Sequence, residues 1–93
     1  MKKQTAGMAG ILSGLPPELQ IRTQLSFAIA HRIETLMRER GLNKKQFAIA
    51  LGRSPSEITK WLSGEHNFTV SSIAMLTAYF KKPIIVIPQE EQT

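Results

Sequence analysis

The sequence predicts an all-α fold of four to five helices with one short β-strand near its C-terminus. Three observations carry that expectation. Apolar residues recur at helical spacing in several runs, and Gly41, Gly52 and Gly64 stand where those runs end. Two pairs spaced as capping boxes, Asn43 with Gln46 and Ser54 with Glu57, mark two helix starts close together in the chain. The run Ile84-Ile85-Val86-Ile87, fenced by Pro83 and Pro88, is β-branched throughout and too short for a helix.

Composition bounds the rest. The chain has 93 residues and 42% hydrophobic residues, enough for one small domain with an economical core. Twelve Lys and Arg against seven acidic residues give a net charge of +5, and every acidic residue is Glu. With no Asp, no Cys and two His, the chain lacks the parts for disulfides, thiolate zinc sites, cysteine nucleophiles, EF-hands and Asp-dependent triads. The expectation is a non-enzyme with no catalytic residues, no metal site and no cofactor. Residues 1–14 start with Lys2 and Lys3, but Gln4, Thr5, Gly7, Gly10, Ser13 and Gly14 break any apolar stretch, so they read as a flexible arm rather than a signal peptide. No run reaches the roughly 18–20 apolar residues of a membrane span, and the expected location is the cytoplasm, away from membranes.

Residues 15–82 hold the helices. Leu15-Pro16-Pro17-Glu18 has the form of a helix entrance, with proline in the first turn and Glu18 complementing the dipole. From Leu25, the steps through Ile29, Ile33, Leu36 and Met37 draw an apolar stripe, opposite Arg32, Glu34, Arg38 and Glu39, and Gly41 ends it. This helix starts between Pro17 and Ser26; periodicity alone leaves residues 18–24 open. A second helix follows the Asn43 cap, with Phe47, Ala48 and Leu51 inward. A third follows Ser54, with Pro55 at its first position and Ile58, Trp61 and Leu62 inward. Thr69 caps a last helix whose expected face is Val70, Ile73, Ala74, Leu76, Thr77 and Phe80. Residues 83–93 are the strand and a polar tail.

The second and third helices are separated only by Leu51-Gly52-Arg53-Ser54. A short glycine-containing connection between two amphipathic helices matches the helix-turn-helix description. Pro55, Ser56, Glu57, Thr59 and Lys60 make an outer face of short polar groups and one cation, while Lys44, Lys45 and Arg53 cluster around the motif.

Residues 25–80 resemble the Cro/cI-type helix-turn-helix domain, the lambda-repressor-like XRE family of bacterial and phage regulators. The resemblance is carried by Gly41-Leu42-Asn43, Phe47-Ala48, Gly52, Ile58, Trp61-Leu62 and Ser63-Gly64, and by the loop Glu65-His66-Asn67-Phe68-Thr69. It implies sequence-specific DNA binding and transcriptional regulation, most often repression, with residues 55–62 as the recognition helix in the major groove. It assigns base contacts to Pro55, Ser56, Glu57, Thr59 and Lys60, and phosphate contacts to Asn43, Lys44, Lys45, Arg53, Ser54, His66 and Asn67. Pro55 departs from the family pattern, because the best-known repressors carry a polar base reader there. Readout then shifts to Ser56, Thr59 and Lys60, and Glu57 either accepts from a cytosine amino group or is occupied by its cap. The implied partner is double-stranded DNA with a pseudo-palindromic operator, bound by a homodimer. Ile84, Ile85, Val86 and Ile87 are the candidate dimer element, since a lone strand finds a mate across a two-fold axis. Several antitoxins share the module, so the alternative reading is an antitoxin that neutralises a toxin protein and represses its own operon secondarily.

Overall fold

A computed structural model of the chain describes residues 14–89. The arm expected at residues 1–14 and the tail at 90–93 lie outside the described residues, Gly14 excepted. Within them the fold is all-α, with four helices: α1 (Pro17–Glu39), α2 (Lys44–Leu51), α3 (Pro55–Leu62) and α4 (Val70–Phe80).

α1 is one unbroken helix of 23 residues, which settles the question periodicity left open. It has no side-chain N-cap; the carbonyl of Pro16 accepts instead from the N–H groups of Leu19 and Gln20 at 3.0 and 3.2 Å. Its stripe divides in two. Ile29, Ile33, Leu36 and Met37 enter the core, whereas Leu25 stays 54% exposed beside Phe68 and Ile73.

The capping boxes form as spaced. The Asn43 Oδ1 accepts from the Gln46 N–H at 2.8 Å while the Gln46 Oε1 accepts from the Asn43 N–H at 2.9 Å, so both donors at the start of α2 are satisfied. The Ser54 Oγ and Glu57 Oε1 exchange the same bonds at 3.2 Å each. Such caps contribute about 1 kcal/mol apiece. Gly52 closes α2 at φ +67°, the left-handed region that favours glycine, and α3 leaves directly from the turn to pack on both α2 and α1. Thr69 caps α4 through the Ser72 N–H at 3.0 Å.

Phe47 sits at the centre of the core, fully buried, with the rings of Phe80, Tyr79 and Trp61 at 5.5, 5.9 and 6.5 Å. Each such aromatic pair contributes about 0.5–1.5 kcal/mol beyond area burial. Ile33, Leu36, Ile58 and Leu76 complete the interior, so every helix supplies at least one fully buried side chain. The expected face of α4 is narrower than its pattern: Leu76 and Phe80 are buried, Ile73 and Thr77 are half-buried, and Val70 and Ala74 face outward.

The short strand does not form: among the described residues there is none, and 83–89 run as irregular chain beside the helices. A single β-branched run has no ladder to join in a helical chain, and core packing takes its first side chain instead. Ile84 is buried in the core with Phe80, which removes it from the candidate dimer set, while Ile85, Val86 and Ile87 are exposed. The segment is fastened to α1 by polar bonds that local patterning does not reveal. The Arg32 Nε donates to the Pro83 carbonyl at 2.9 Å, the Arg40 Nη2 donates to the Phe80 carbonyl at 2.9 Å, and the Lys82 Nζ meets Glu39 Oε1 at 3.2 Å.

Candidate nucleic-acid interface

α3 is amphipathic in the strict sense. Ile58 and Trp61 are buried against α1 and α2, which fixes the helix and leaves Pro55, Ser56, Thr59 and Lys60 exposed on its outer side. Those four were singled out as base contacts, and they form one continuous face with free side-chain ends at Thr59 and Lys60. Lys60 makes no ion pair among the described residues.

Glu57 is differently placed. One carboxylate oxygen accepts from the Ser54 N–H, and the other lies 3.6 Å from the Arg53 Nη1. The capping alternative describes its bonds here. Ser54 is likewise engaged, its Oγ accepting from the Glu57 N–H and lying 3.1 Å from the Ser56 Oγ. The Arg53 guanidinium stands 5.6 Å from the centroid of the Trp61 ring, held between that ring and the Glu57 carboxylate. A cation so placed has less freedom to lose on meeting an anion than a solvated lysine has.

The residues assigned to phosphate fall into separate places around α3. Lys44 and Lys45 are exposed at the start of α2, with no ion pair among the described residues, and Lys44 shares a shallow depression with Arg38 and Leu62. Asn43 is beside them, but its Oδ1 is spent on the cap, leaving only the amide nitrogen to donate. Arg53 and Ser54 stand at the start of α3. His66 and Asn67 lie past its end, where they share a cleft of about 230 Å³ with Lys60, Ser63 and Glu65. His66 is half-buried, its ring edge-on to Phe68 at 4.7 Å and 6.1 Å from Trp61, so it anchors the loop as well as lining the cleft.

Two features of this region were not assigned from sequence. Ile49 is 71% exposed on α2, one turn after Lys45; it falls off the Phe47–Ala48–Leu51 stripe, and that displacement was the available signal. Gly64 is buried at φ +86°, where a Cβ would collide with one edge of the Phe27 ring, so the turn after α3 closes directly onto α1. Nothing in its local sequence distinguishes that glycine from an ordinary helix stop. No group of three or more His, Cys, Asp or Glu able to hold a metal occurs among the described residues, and no helix there is long and apolar enough to cross a membrane.

No family model, curated protein or solved structure matches the chain.

Proposed function

We propose that the chain is a sequence-specific DNA-binding regulator of the helix-turn-helix kind, acting as a cytoplasmic repressor by occupying an operator rather than by chemistry on the DNA. The observation that carries this reading is α3, a helix locked on its inner side by Ile58 and Trp61 and bare on its outer side, with short polar groups in its first turns. An α-helix with its side chains is about 10–12 Å across, and the major groove is about 12 Å wide, so such a face reaches base edges. Ser56, Thr59 and Lys60 are the readers. Pro55 offers at most an apolar contact to a thymine methyl, and Glu57 supports the helix from its cap. Lys44, Lys45, Arg53 and the loop cleft at His66 and Asn67 meet phosphates, and the net charge of +5 favours the approach. One such module reads only a few base pairs, so two copies on half-sites about 34 Å apart form the working unit.

Enrichment of bound duplexes from a random pool tests the proposal, followed by titrations at several salt concentrations. Thr59→Ala is expected to cost about 1–3 kcal/mol on the selected site and little on random DNA. Lys44→Ala is expected to weaken both alike and reduce the salt slope by about one. Failure to enrich any sequence overturns the reading.

A further inference from the structure

Two cavities meet along the N-terminal half of α1. The first, of about 320 Å³, lies between α1 and the loop after α3, with Arg22, Thr23, Ser26, Glu65 and Asn67 around the Phe27 ring. The second, of about 330 Å³, is apolar, with Leu25, Ile29, Phe68, Ile73 and Ile87 among its walls. Arg22, Ser26 and Asn67 line both, so the two form one crevice with a polar half and an apolar half. Each half is at the lower end of the about 300–1,000 Å³ of small-molecule sites, which suits a ligand of few heavy atoms.

Two observations define that ligand. The first is Ser26, which is 8% exposed and whose hydroxyl has no hydrogen-bond partner among the described residues. A helical hydroxyl has a partner within reach in the carbonyl one turn back, and Thr77 on α4 takes it, donating to Ile73 at 2.7 Å. Ser26 does not, and a buried hydroxyl left unpaired is unfavourable until something in the crevice meets it. The second is charge. Arg22 and Glu65 both line the polar half, yet neither forms an ion pair with the other or with any other described residue. One unpaired cation and one unpaired carboxylate among neutral hydrogen-bonding groups complement a zwitterion. A simple carboxylate leaves Glu65 uncompensated, and a simple amine leaves Arg22 so.

We infer that the crevice binds a free α-amino acid with a branched or aromatic apolar side chain. Its carboxylate meets Arg22, with the Ser26 hydroxyl and the Asn67 amide donating; its ammonium meets Glu65; its side chain fills the apolar half. The inference deepens the regulator reading and rests on it only for its consequence. Glu65 and Asn67 also line the cleft beside Lys60 and His66, where the Glu65 carboxylate opposes an approaching phosphate. An ammonium paired with Glu65 offsets that opposition. The amino acid therefore strengthens DNA binding, and DNA strengthens amino-acid binding by the same factor.

Calorimetric titration of the full chain without DNA tests the site, with L-leucine and L-phenylalanine as probes. Saturable binding with a submillimolar dissociation constant is expected. L-Alanine lacks the apolar side chain, isocaproate lacks the ammonium and isoamylamine lacks the carboxylate; each is expected to bind about tenfold or more weakly than leucine. Arg22→Met is expected to lose leucine binding, and Glu65→Gln to lose the preference for leucine over isocaproate. Ser26→Ala is expected to weaken leucine about threefold or more while its melting temperature stays level or rises, which a structural hydroxyl would not allow. On an enriched operator, leucine is expected to raise affinity about fivefold or more, and an unchanged affinity overturns the coupling through Glu65. No saturable binding of either probe, equal binding of leucine and isocaproate by the parent chain, or leucine binding indifferent to Ser26→Ala each overturns the site. Amide shifts at these positions that follow protein concentration and not leucine give the crevice to a second chain and overturn it too. A chain that binds leucine but enriches no DNA sequence supports this inference and overturns the regulator reading, whereas one that enriches a sequence and ignores both probes does the reverse.

Discussion

Replacing Gly64 by alanine loads two separate costs onto one methyl group. At φ +86° an L-residue occupies the left-handed region, which costs roughly 1–2 kcal/mol. The new Cβ also collides with one edge of the Phe27 ring, in a turn where Gly64 is already buried, and forced overpacking costs about 1–3 kcal/mol. The expected loss is therefore about 2–5 kcal/mol, out of the about 5–14 kcal/mol that typifies a domain of this length. For this size each kcal/mol moves the melting temperature by about 4–8 °C, so the drop should be at least about 8 °C. Gly52→Ala is the reference, because Gly52 has φ +67° but no atom within 4 Å of its virtual Cβ, leaving strain as its only cost. Urea titrations of Gly64→Ala, Phe27→Ala and the double variant complete the test. If the ring is the obstacle, the double variant is more stable than the sum of the single losses by about 1–3 kcal/mol. Additive losses, or a Gly64→Ala variant no worse than Gly52→Ala, refute the steric account.

Three further outcomes follow from single side chains. Lys81 closes α4 at φ +58°, so Lys81→Gly is expected to stabilise the domain by about 0.5–1 kcal/mol in thermal or urea unfolding, despite glycine's extra unfolded-state freedom. Arg40→Met removes the bond to the Phe80 carbonyl and the cation above the Tyr79 and Phe80 rings at 5.1 and 5.4 Å, and is expected to cost about 1–3 kcal/mol in the same assay. Glu57→Gln keeps an acceptor in the capping box and should leave both stability and the selected DNA sequence unchanged, whereas Glu57→Ala should lose about 0.3–1.5 kcal/mol; a changed base preference in Glu57→Gln would make Glu57 a reader after all.

The parts legible in the sequence are those governed by neighbours a few residues away. Asn43 with Gln46, Ser54 with Glu57 and Thr69 with Ser72 all make the local bonds their spacing implies. The alternation of inward and outward residues on α3 likewise follows from one helical period. Legibility stops where a distant partner decides. Leu25 and Val70 continue their helical stripes but stay largely exposed, so the period persists after the core has ended. The 84–87 run has the side chains of a strand, yet pairing requires a second edge, and the helices of this chain supply none. Arg32 on α1 and Arg40 just past its end look like ordinary solvated cations, because the carbonyls they bind lie 51 and 40 residues away. At the candidate interface, residue types exposed the outer face of α3, while the placement of Arg53 against Trp61 depended on a side-chain geometry that spacing does not specify.

The bonds from Arg32, Glu39 and Arg40 to residues 80–83 also bear on the order in which the domain assembles. α2 and α3 adjoin in the chain and meet after a short loop closure, so this pair can organise early. α1 is made first but stays unclasped until the chain has grown past Pro83, when its three polar anchors and the Ile84 side chain become available together. During synthesis the longest helix therefore has only α3 to cover its apolar stripe until these anchors arrive, a vulnerable interval of the kind in which nascent chains aggregate. A release at Leu76 would leave the aromatic centre without Tyr79 and Phe80, and α1 without its clasp.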